Sequence, residues 1–281
     1  MVQFSRTPDA SPPGDPDDGT NSVLGKARVI LEAFDVEDDA VSLSELVRRT
    51  GIAKATVHRL AQELLTWGLL ERRGSKYGLG LRLFELGQRV PRQRILREAV
   101  RPYMEDLFQA TKEAVHLAVL DGVEVFYLEK VSGHHQVRRP SRIAGRMPLH
   151  CTATGKAILA YSPRGLLDAV VEVGLPRVTR NTMVTPQRLV ADLERVRHRG
   201  YSVEQEETKL GYLSVAAPLF GGGGSLVAAI SVTGPVIRSN VDRLAGVLVP
   251  AARTITKRLR ETDTGALYPV SGLPFTRVSV S

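Results

Sequence analysis

The chain has a single cysteine, Cys151, among 281 residues. It therefore cannot close an internal disulfide, and without a C-x-x-C pair it cannot hold zinc or an iron–sulfur cluster through paired thiolates. Nowhere do about 18 apolar residues run together without charge, which argues against a membrane span. The first 21 residues are rich in Pro and Asp and lack a basic stretch followed by an apolar one, so a secretory signal is not expected. Phosphate-cradling loops are missing as well. Gly221–Gly224 is not followed by Lys-Ser/Thr, and Gly155-Lys156 has no glycine five residues before its own. His134-His135 has no second ligand pair at a supporting spacing, and neither a metal nor a cofactor is expected. These exclusions leave a cytoplasmic protein with no membrane partner.

Positive charge is what the chain has in excess: 38 Lys+Arg against 30 Asp+Glu, a formal net charge of +8. That balance points to a polyanionic partner. At 43% hydrophobic and 24% charged the chain is an ordinary globular one, long enough for two domains. Residues 1–20, with four prolines and four aspartates and almost nothing to bury, read as a disordered tail.

From Asn21 the pattern becomes helical. Val23, Ala27, Ile30, Leu31 and Phe34 form one apolar stripe on a helix capped by Asn21 or Ser22. Ser42-Leu43-Ser44-Glu45 fits a capping box, opening a short helix that stops at Gly51. A second helix, from about Ala53 to Trp67, puts Val57, Leu60, Ala61 and Leu64 on one face and Ala55, His58, Arg59 and Gln62 on the other. Leu69–Leu79 reads as a hairpin around Gly74-Ser75 with a basic tip. Capped helix, Gly-containing turn, polar-faced second helix and basic hairpin together predict a winged helix-turn-helix.

Within residues 48–76 seven basic residues face two acids, Glu63 and Glu71. Lys and Arg neutralise phosphates, whereas Arg59 and Gln62 can make paired hydrogen bonds to base edges. The DNA-binding candidates are Ser44, Lys54, Ala55, Thr56, His58, Arg59, Gln62, Arg72, Arg73 and Lys76. A small helical protein-interaction domain with solvated charges is the plainer alternative.

Residues 83–110 read as linker helices interrupted near Pro91, with Arg89, Arg92, Arg94, Arg97 and Arg101 on a solvent or inter-subunit side. The second half changes character. Val115–Leu120 and Val123–Val131 flank Asp121-Gly122, a hairpin signal. Helices follow over Thr152–Tyr161, Pro163–Val173 and Pro186–Arg199, then strands over Tyr201–Glu206, Tyr212–Phe220 and Leu226–Thr233, and a last helix near Asn240–Glu261. The fold class is α+β with an antiparallel sheet. The expected domains are 21–82 for DNA, 83–110 as linker and 111–262 for the second domain, with a tail at 263–281.

Several motifs carry a resemblance over roughly residues 20–262. In the first domain they are Leu43-Ser44-Glu45-Leu46, Thr50-Gly51-Ile52, Ala55-Thr56-Val57-His58-Arg59-Leu60, Gly68-Leu69-Leu70 and Tyr77-Gly78-Leu79-Gly80. In the second they are Pro148-Leu149-His150, Gly155-Lys156-Ala157, Arg199-Gly200-Tyr201, Glu206-Glu207, Ala216-Ala217-Pro218 and Ile230-Ser231-Val232-Thr233-Gly234-Pro235. The chain thereby resembles the IclR family of bacterial transcription regulators. The resemblance implies a winged helix-turn-helix, a linker helix and a GAF-like effector-binding domain, assembled as a homodimer or homotetramer on double-stranded DNA, its operator palindromic. It also implies a small organic or aromatic acid as effector, with a repressor released by that acid as the expectation and an activator of the same architecture as the alternative.

By motif position the implied effector pocket falls on Met147, Ala153, Thr154, Glu204, Tyr212, Ser214, Ser231 and Thr233. Two of these depart from the family's habit, Ser214 standing where a cysteine is common and Glu204 where Asp is. Arg139, in the basic loop 138–146, is a candidate partner for a ligand carboxylate through its planar fork, although these arginines could equally be solvated. The strand hydroxyls have a plain structural reading too, satisfied by neighbouring backbone. Glu204, beside Glu206 and Glu207, could belong to a solvated acidic rim.

A thiol-dependent enzyme with a DNA-binding appendage is the other class of reading, because His150 adjoins Cys151. Adjacent side chains usually point apart, and a buried inert thiol is the simpler account, so no catalytic residue is assigned.

Overall fold

The computed structural model describes residues 21–133 and 143–261. The expected tails at 1–20 and 263–281, His134-His135 and Arg139 lie outside the described residues. The chain divides into two compact units, the first running to Pro91 and the second beginning at Arg92.

The first unit holds α1 (Val23–Glu32), α2 (Leu43–Thr50), α3 (Lys54–Thr66), the hairpin β1 (Leu70–Arg73) and β2 (Lys76–Leu79), and α4 (Leu81–Gln88). Ser22 caps α1, its side chain accepting from the Gly25 amide at 2.9 Å. Ile30, Leu46, Val57, Leu60, Leu64 and Tyr77 meet in one core, so α1, α2, α3 and the hairpin are a single packed body. The hairpin gains a third partner where Val41 and Tyr77 exchange backbone hydrogen bonds of 2.7 and 2.9 Å.

The second unit begins with α5 (Pro91–Thr111), whose first residue is the last of the first unit. The hairpin β3 (Ala114–Asp121) and β4 (Glu124–Val131) follows, then β5 (Arg146–Pro148), α6 (Ala153–Ala160), α7 (Arg164–Val173), α8 (Pro186–Arg199), β6 (Ser202–Gln205), β7 (Tyr212–Phe220), β8 (Leu226–Pro235) and α9 (Val241–Glu261). The six strands form one antiparallel sheet in the order β5-β4-β3-β8-β7-β6.

Alternation along each strand sorts the sheet into two faces. Val115, Leu117, Val215, Ile230 and Val232 face α5 and α9 in one core. Ala118, Val125, Tyr127, Ala216 and Ala229 belong to the core built with α6, α7 and α8. Burying both faces explains why β7 and β8 read as nearly continuous apolar runs.

The arginines at 89, 92, 94 and 101 are exposed as expected, and two cations of α5 also carry a partner: Arg97, 32% exposed, is paired at 3.1 Å with Glu129, whose side chain is 6% exposed, and Arg101 approaches the same carboxylate at 3.7 Å. A buried carboxylate on β4 needs a cation, and α5 supplies it.

Candidate functional site

In the first unit the helix pair is set by its caps. Ser42 accepts from the Glu45 amide at 3.2 Å, but Glu45 does not return to the cap as the capping box predicts. Its carboxylate takes Arg48 at 2.6 Å and Arg49 at 2.7 Å instead, because a guanidinium outcompetes a neutral amide as donor. These two arginines hold Glu45 down at about 2. Arg49 also engages Asp38 and the Ala33 carbonyl, tying α2 to the turn after α1. Gly51 takes φ of 68° between the helices, a conformation costly for any side chain with a Cβ.

Burial of Val57, Leu60, Ala61 and Leu64 turns the opposite side of α3 outward. Lys54, Ala55, His58 and Arg59 are exposed there, Thr56 is half-buried, and Ser44 is exposed on α2. Gln62 is half-buried, and its Nε2 donates to the Tyr77 hydroxyl at 3.5 Å. Arg72 lies over the same Tyr77 ring at 4.5 Å, so α3 and the hairpin share one aromatic post. Arg73 is engaged by Asp39 and by Glu71, while Lys76 is exposed. Arg59 pairs with Glu63 one turn along, both partners remaining substantially exposed at 56% and 40%. These exposed cations lie on one helix and one hairpin of a single body, which is what an electrostatic contact to a phosphate backbone requires.

The second unit encloses a cavity of about 40 Å³ on the sheet face that α6 covers. All six strands supply a lining residue: His116 from β3, Tyr127 from β4, Met147 from β5, Glu204 from β6, Tyr212 and Ser214 from β7, Ser231 and Thr233 from β8. Register makes this possible. Glu204, Ser214 and Thr233 are direct cross-strand neighbours, and so are His116 and Ser231. Thr152, Ala153 and Thr154 close the cavity from the start of α6. Thr152 caps that helix, accepting from the Gly155 amide at 3.1 Å. Gly155 is required there because a Cβ would sit 2.3 Å from the Leu149 carbonyl oxygen.

The eight residues assigned by motif position thus come together around one cavity. His116, Tyr127, Thr152, Thr208 and Lys209 also line it and escaped the sequence reading. For His116 and Tyr127 the missing signal was alternation, since each stands on the α6-facing side of its strand beside Ala118 or Val125. Their rings meet at 5.4 Å. The hydroxyls pair among themselves, Ser214 with Thr233 at 3.0 Å and Tyr127 with Thr154 at 3.3 Å. Burial pushes Tyr127 up to about 12, so it stays a neutral hydroxyl.

The solvated acidic rim is overturned. Glu204 is 1% and Glu207 6% exposed. One oxygen of Glu204 accepts from the amides of Glu207 and Thr208 at 2.7 and 2.9 Å and from the Thr208 hydroxyl at 3.2 Å. Glu207 is paired with the buried Lys156 of α6 at 2.6 Å, and Lys156 also reaches Asp192 of α8 at 3.0 Å. Burial pushes Glu207 up to about 7 and raises Glu204 as well. Burial acts the same way on Asp192, but Lys156 and Arg195 more than offset it and leave this group below its ordinary value. Residues 206–211 therefore form a strap over the cavity, anchored on both sides of its root by carboxylates.

Cys151 is buried, and burial pushes its thiol well above the ordinary range. His150 turns its Nε2 to the Pro176 carbonyl at 3.0 Å and is pulled down by burial. The adjacent pair thus offers neither a thiolate nor an imidazole directed at one. Among the described residues no three His, Cys, Asp or Glu side chains cluster as metal ligands, and no helix is long and apolar enough to cross a membrane.

A winged helix-turn-helix with an outward basic face, joined in one chain to an α+β unit with a polar internal cavity, defines a DNA-binding regulator that senses a small ligand. Comparison with known proteins makes this specific. The family described as IclR helix-turn-helix domain matches residues 23–74, and bacterial transcriptional regulator IclR C-terminal matches residues 88–258. The chain belongs to the IclR family and is a ligand-responsive, DNA-binding transcription regulator. It is 34% identical over 252 residues to the HTH-type transcriptional regulator KdgR of Escherichia coli, spanning 88% of this chain and 95% of that one. It is 31% identical to the transcriptional repressor IclR of the same organism, spanning 86% and 91%. An IclR homologue from Microbacterium hydrocarbonoxydans, solved with 4-hydroxybenzoate, superimposes with a TM-score of 0.80 at 32% identity, covering 85% of this chain and all of that one.

Proposed function

We propose that the protein is a cytoplasmic repressor that releases its operator when a small organic or aromatic acid enters the cavity lined by Met147, Glu204, Tyr212, Ser214, Ser231 and Thr233. In this reading residues 21–82 bind DNA, 83–110 link and 111–262 sense the effector. The observation that carries it is the convergence of all six strands on one polar cavity roofed by a strap. At about 40 Å³ the cavity has room for roughly three waters, well below the volume of an aromatic acid. Binding therefore requires the strap side to shift, and a ligand that binds the shifted state preferentially supplies the differential affinity that regulation needs.

Arg59, His58 and Lys54 on α3 would meet base edges and phosphates in the major groove, with Arg72, Arg73 and Lys76 of the hairpin on the flanking backbone. Two such helices about 34 Å apart need two copies of the chain and a roughly palindromic site. The first unit has apolar surface for a second copy to cover: Leu24 is 78%, Leu81 69% and Phe84 63% exposed.

Fluorescence anisotropy against DNA upstream of the protein's own gene and a scrambled duplex, over a salt series and with a panel of acids, tests this reading. A preference of about 10³ or more for the upstream DNA, weakened by an acid, is expected. Equal, salt-sensitive binding to both duplexes and indifference to every acid would overturn it.

A further inference from the structure

We propose that the second unit carries a site for a nucleoside di- or triphosphate, apart from the effector cavity, in the cleft between the end of β7 and α9. The cleft has a volume of about 570 Å³, within the range of roughly 300–1,000 Å³ that small-molecule sites occupy. It shares no lining residue with the cavity under the strap, which sits at the other end of β7.

Strand pairing leaves this cleft open. β6 pairs with β7 only from Ser202–Ala216 to Gln205–Leu213, so Ala217–Phe220 of β7 have no strand on that side among the described residues. Pro218 has no amide to offer along that edge. The Phe220 amide donates to the Thr256 hydroxyl oxygen at 3.3 Å, which ties the strand end to α9. Buried Ala217, Pro218 and Ala252 back the cleft, and the rings of Tyr161 and Phe220 wall it, packed edge to face at 5.3 Å.

The opposite wall is a row of positive charge. Arg253, Lys257 and Arg260 line the cleft from one face of α9, over two turns or about 10 Å. Like charges at this spacing repel and weaken a helix. Elsewhere the sequence supplies a neutralising acid: Arg48, Arg59, Arg82 and Arg101 each pair with a glutamate three or four residues away. On α9 the corresponding places hold Val249, Pro250, Thr254 and Thr256. Glu261, at the helix end, is the only acid among the described lining residues and forms no ion pair with the row. The nearby Arg197 and Arg199 differ, each donating to a carbonyl, of Ala160 at 3.1 Å and of Tyr201 at 2.6 Å. The negative end of the helix dipole accounts for Arg260 in the last turn, whereas Arg253 stands two turns earlier, beyond its reach.

Row and rings together select the ligand. A monocarboxylate needs a single cation, but cations spread in line over about 10 Å match a chain of phosphates, whose oxygens suit the arginine fork. Thr254 turns its hydroxyl back to the Pro250 carbonyl at 3.1 Å, whereas Thr256 accepts the Phe220 amide and keeps its own proton for a ligand. That same bond sets Phe220 beside the middle of the row, so a planar base can lie against the rings while its phosphates follow α9. An inorganic anion leaves the rings unused, and a free nucleoside leaves the cations unused.

The test is isothermal titration of the full-length protein with ATP, adenosine and tripolyphosphate, without magnesium. ATP is expected to bind at least about tenfold more tightly than either of its parts. The double variant Arg253→Gln/Lys257→Gln should weaken ATP by about tenfold or more, as lost charge-assisted hydrogen bonds imply. With the repulsion along α9 relieved, it should melt no earlier than the wild type, so that lost binding is not lost folding. Phe220→Leu should narrow the gap between ATP and tripolyphosphate.

ATP binding no tighter than tripolyphosphate would reduce the cleft to an unselective anion patch and overturn the proposal, as would ATP binding unchanged in the double variant. A wild type indifferent to ATP overturns it as well, and the double variant then tells what the row does instead. Equal losses on upstream and scrambled DNA would make it a contact to the phosphate backbone, and a changed sedimentation coefficient would make it an interface between copies of the chain.

Discussion

The two units handle charge in opposite ways. In the first, Arg59–Glu63, Arg48–Glu45 and Arg73–Glu71 are ion pairs open to water, with the arginine side chains 56%, 73% and 46% exposed. Such pairs are screened by water and salt and contribute little, so each can be exchanged for a phosphate or a base edge at little cost. In the second, Lys156 is 1% exposed between carboxylates that are 8% and 9% exposed. A charge taken that far from water cannot change partners without exposing another uncompensated. The surface that must let go of its own partners is built from pairs that let go easily, and the body that must hold a cavity for one kind of ligand is braced beside that cavity by a cluster that does not.

Breaking the buried side should have the largest effect. Lys156→Met leaves Glu207 and Asp192 without their cation and is expected to lower stability by about 3–5 kcal/mol in urea unfolding followed by circular dichroism. The double variant Lys156→Met/Glu207→Gln should recover part of that loss; a single variant as stable as wild type would erase the contrast between the units.

The next effect is a pH dependence. Glu207 lies at about 7 in the folded protein against an ordinary 4.5, so the folded state holds this proton more tightly than the unfolded chain. Its contribution is fully present below 4.5 and is lost as pH rises through 7. Wild-type stability should therefore fall relative to Glu207→Gln by at most about 3 kcal/mol over that window. A difference that stays flat or grows with pH would place the proton elsewhere in the cluster.

On the exposed side the effects are smaller and fall on DNA. Arg59→Ala should cost about 1–3 kcal/mol on the upstream DNA and little on a scrambled duplex, whereas Lys76→Ala should weaken both alike and lower the salt slope by about one. Anisotropy on both duplexes separates the two behaviours, and equal losses from Arg59→Ala would make that residue a phosphate contact only. The smallest effect sharpens the comparison most: Glu63→Gln should change stability by less than about 0.5 kcal/mol while tightening DNA binding, because it frees Arg59 from its acidic partner one turn along α3.

Legibility in the sequence followed the range of the interactions. The helices and hairpin of the first unit rest on local signals, such as the Ser42 cap, the Gly51 turn and the 3.6-residue stripe of α3, and all three are legible from a few residues at a time. The β3–β4 hairpin was equally local. β5, only Arg146–Pro148, is too short to show alternation and exists because Val125 and Met147 face each other across the edge of the sheet. The strand order, which sets β8 between β3 and β7, depends on pairings more than a hundred residues apart and had no local trace.

In the cavity, strand hydroxyls such as Ser231 and Thr233 were reachable through motif position and period. Lys156 and Glu207 were not, since a lysine is among the residues least expected to be buried and only their meeting across 51 positions makes burial tolerable. The half-fulfilled capping box of α2 is a related case. The pattern identifies Ser42 as the cap, but the destination of Glu45 depends on Arg48 and Arg49 one turn later.

The strap at 206–211 has no regular secondary structure, yet its root is held like the interior of the protein. The amides of Glu207 and Thr208 donate to a buried carboxylate, and the carbonyl of Glu207 accepts from Thr182 at 2.8 Å. In hydrogen–deuterium exchange those two amides should therefore exchange on the timescale of α6 and α8, through a shared opening, although they sit in a loop. The Gly211 amide, bound to the half-exposed Glu206, should exchange faster and independently. Exchange along six consecutive residues would then separate the part of the strap that belongs to the core from the part free to admit a ligand.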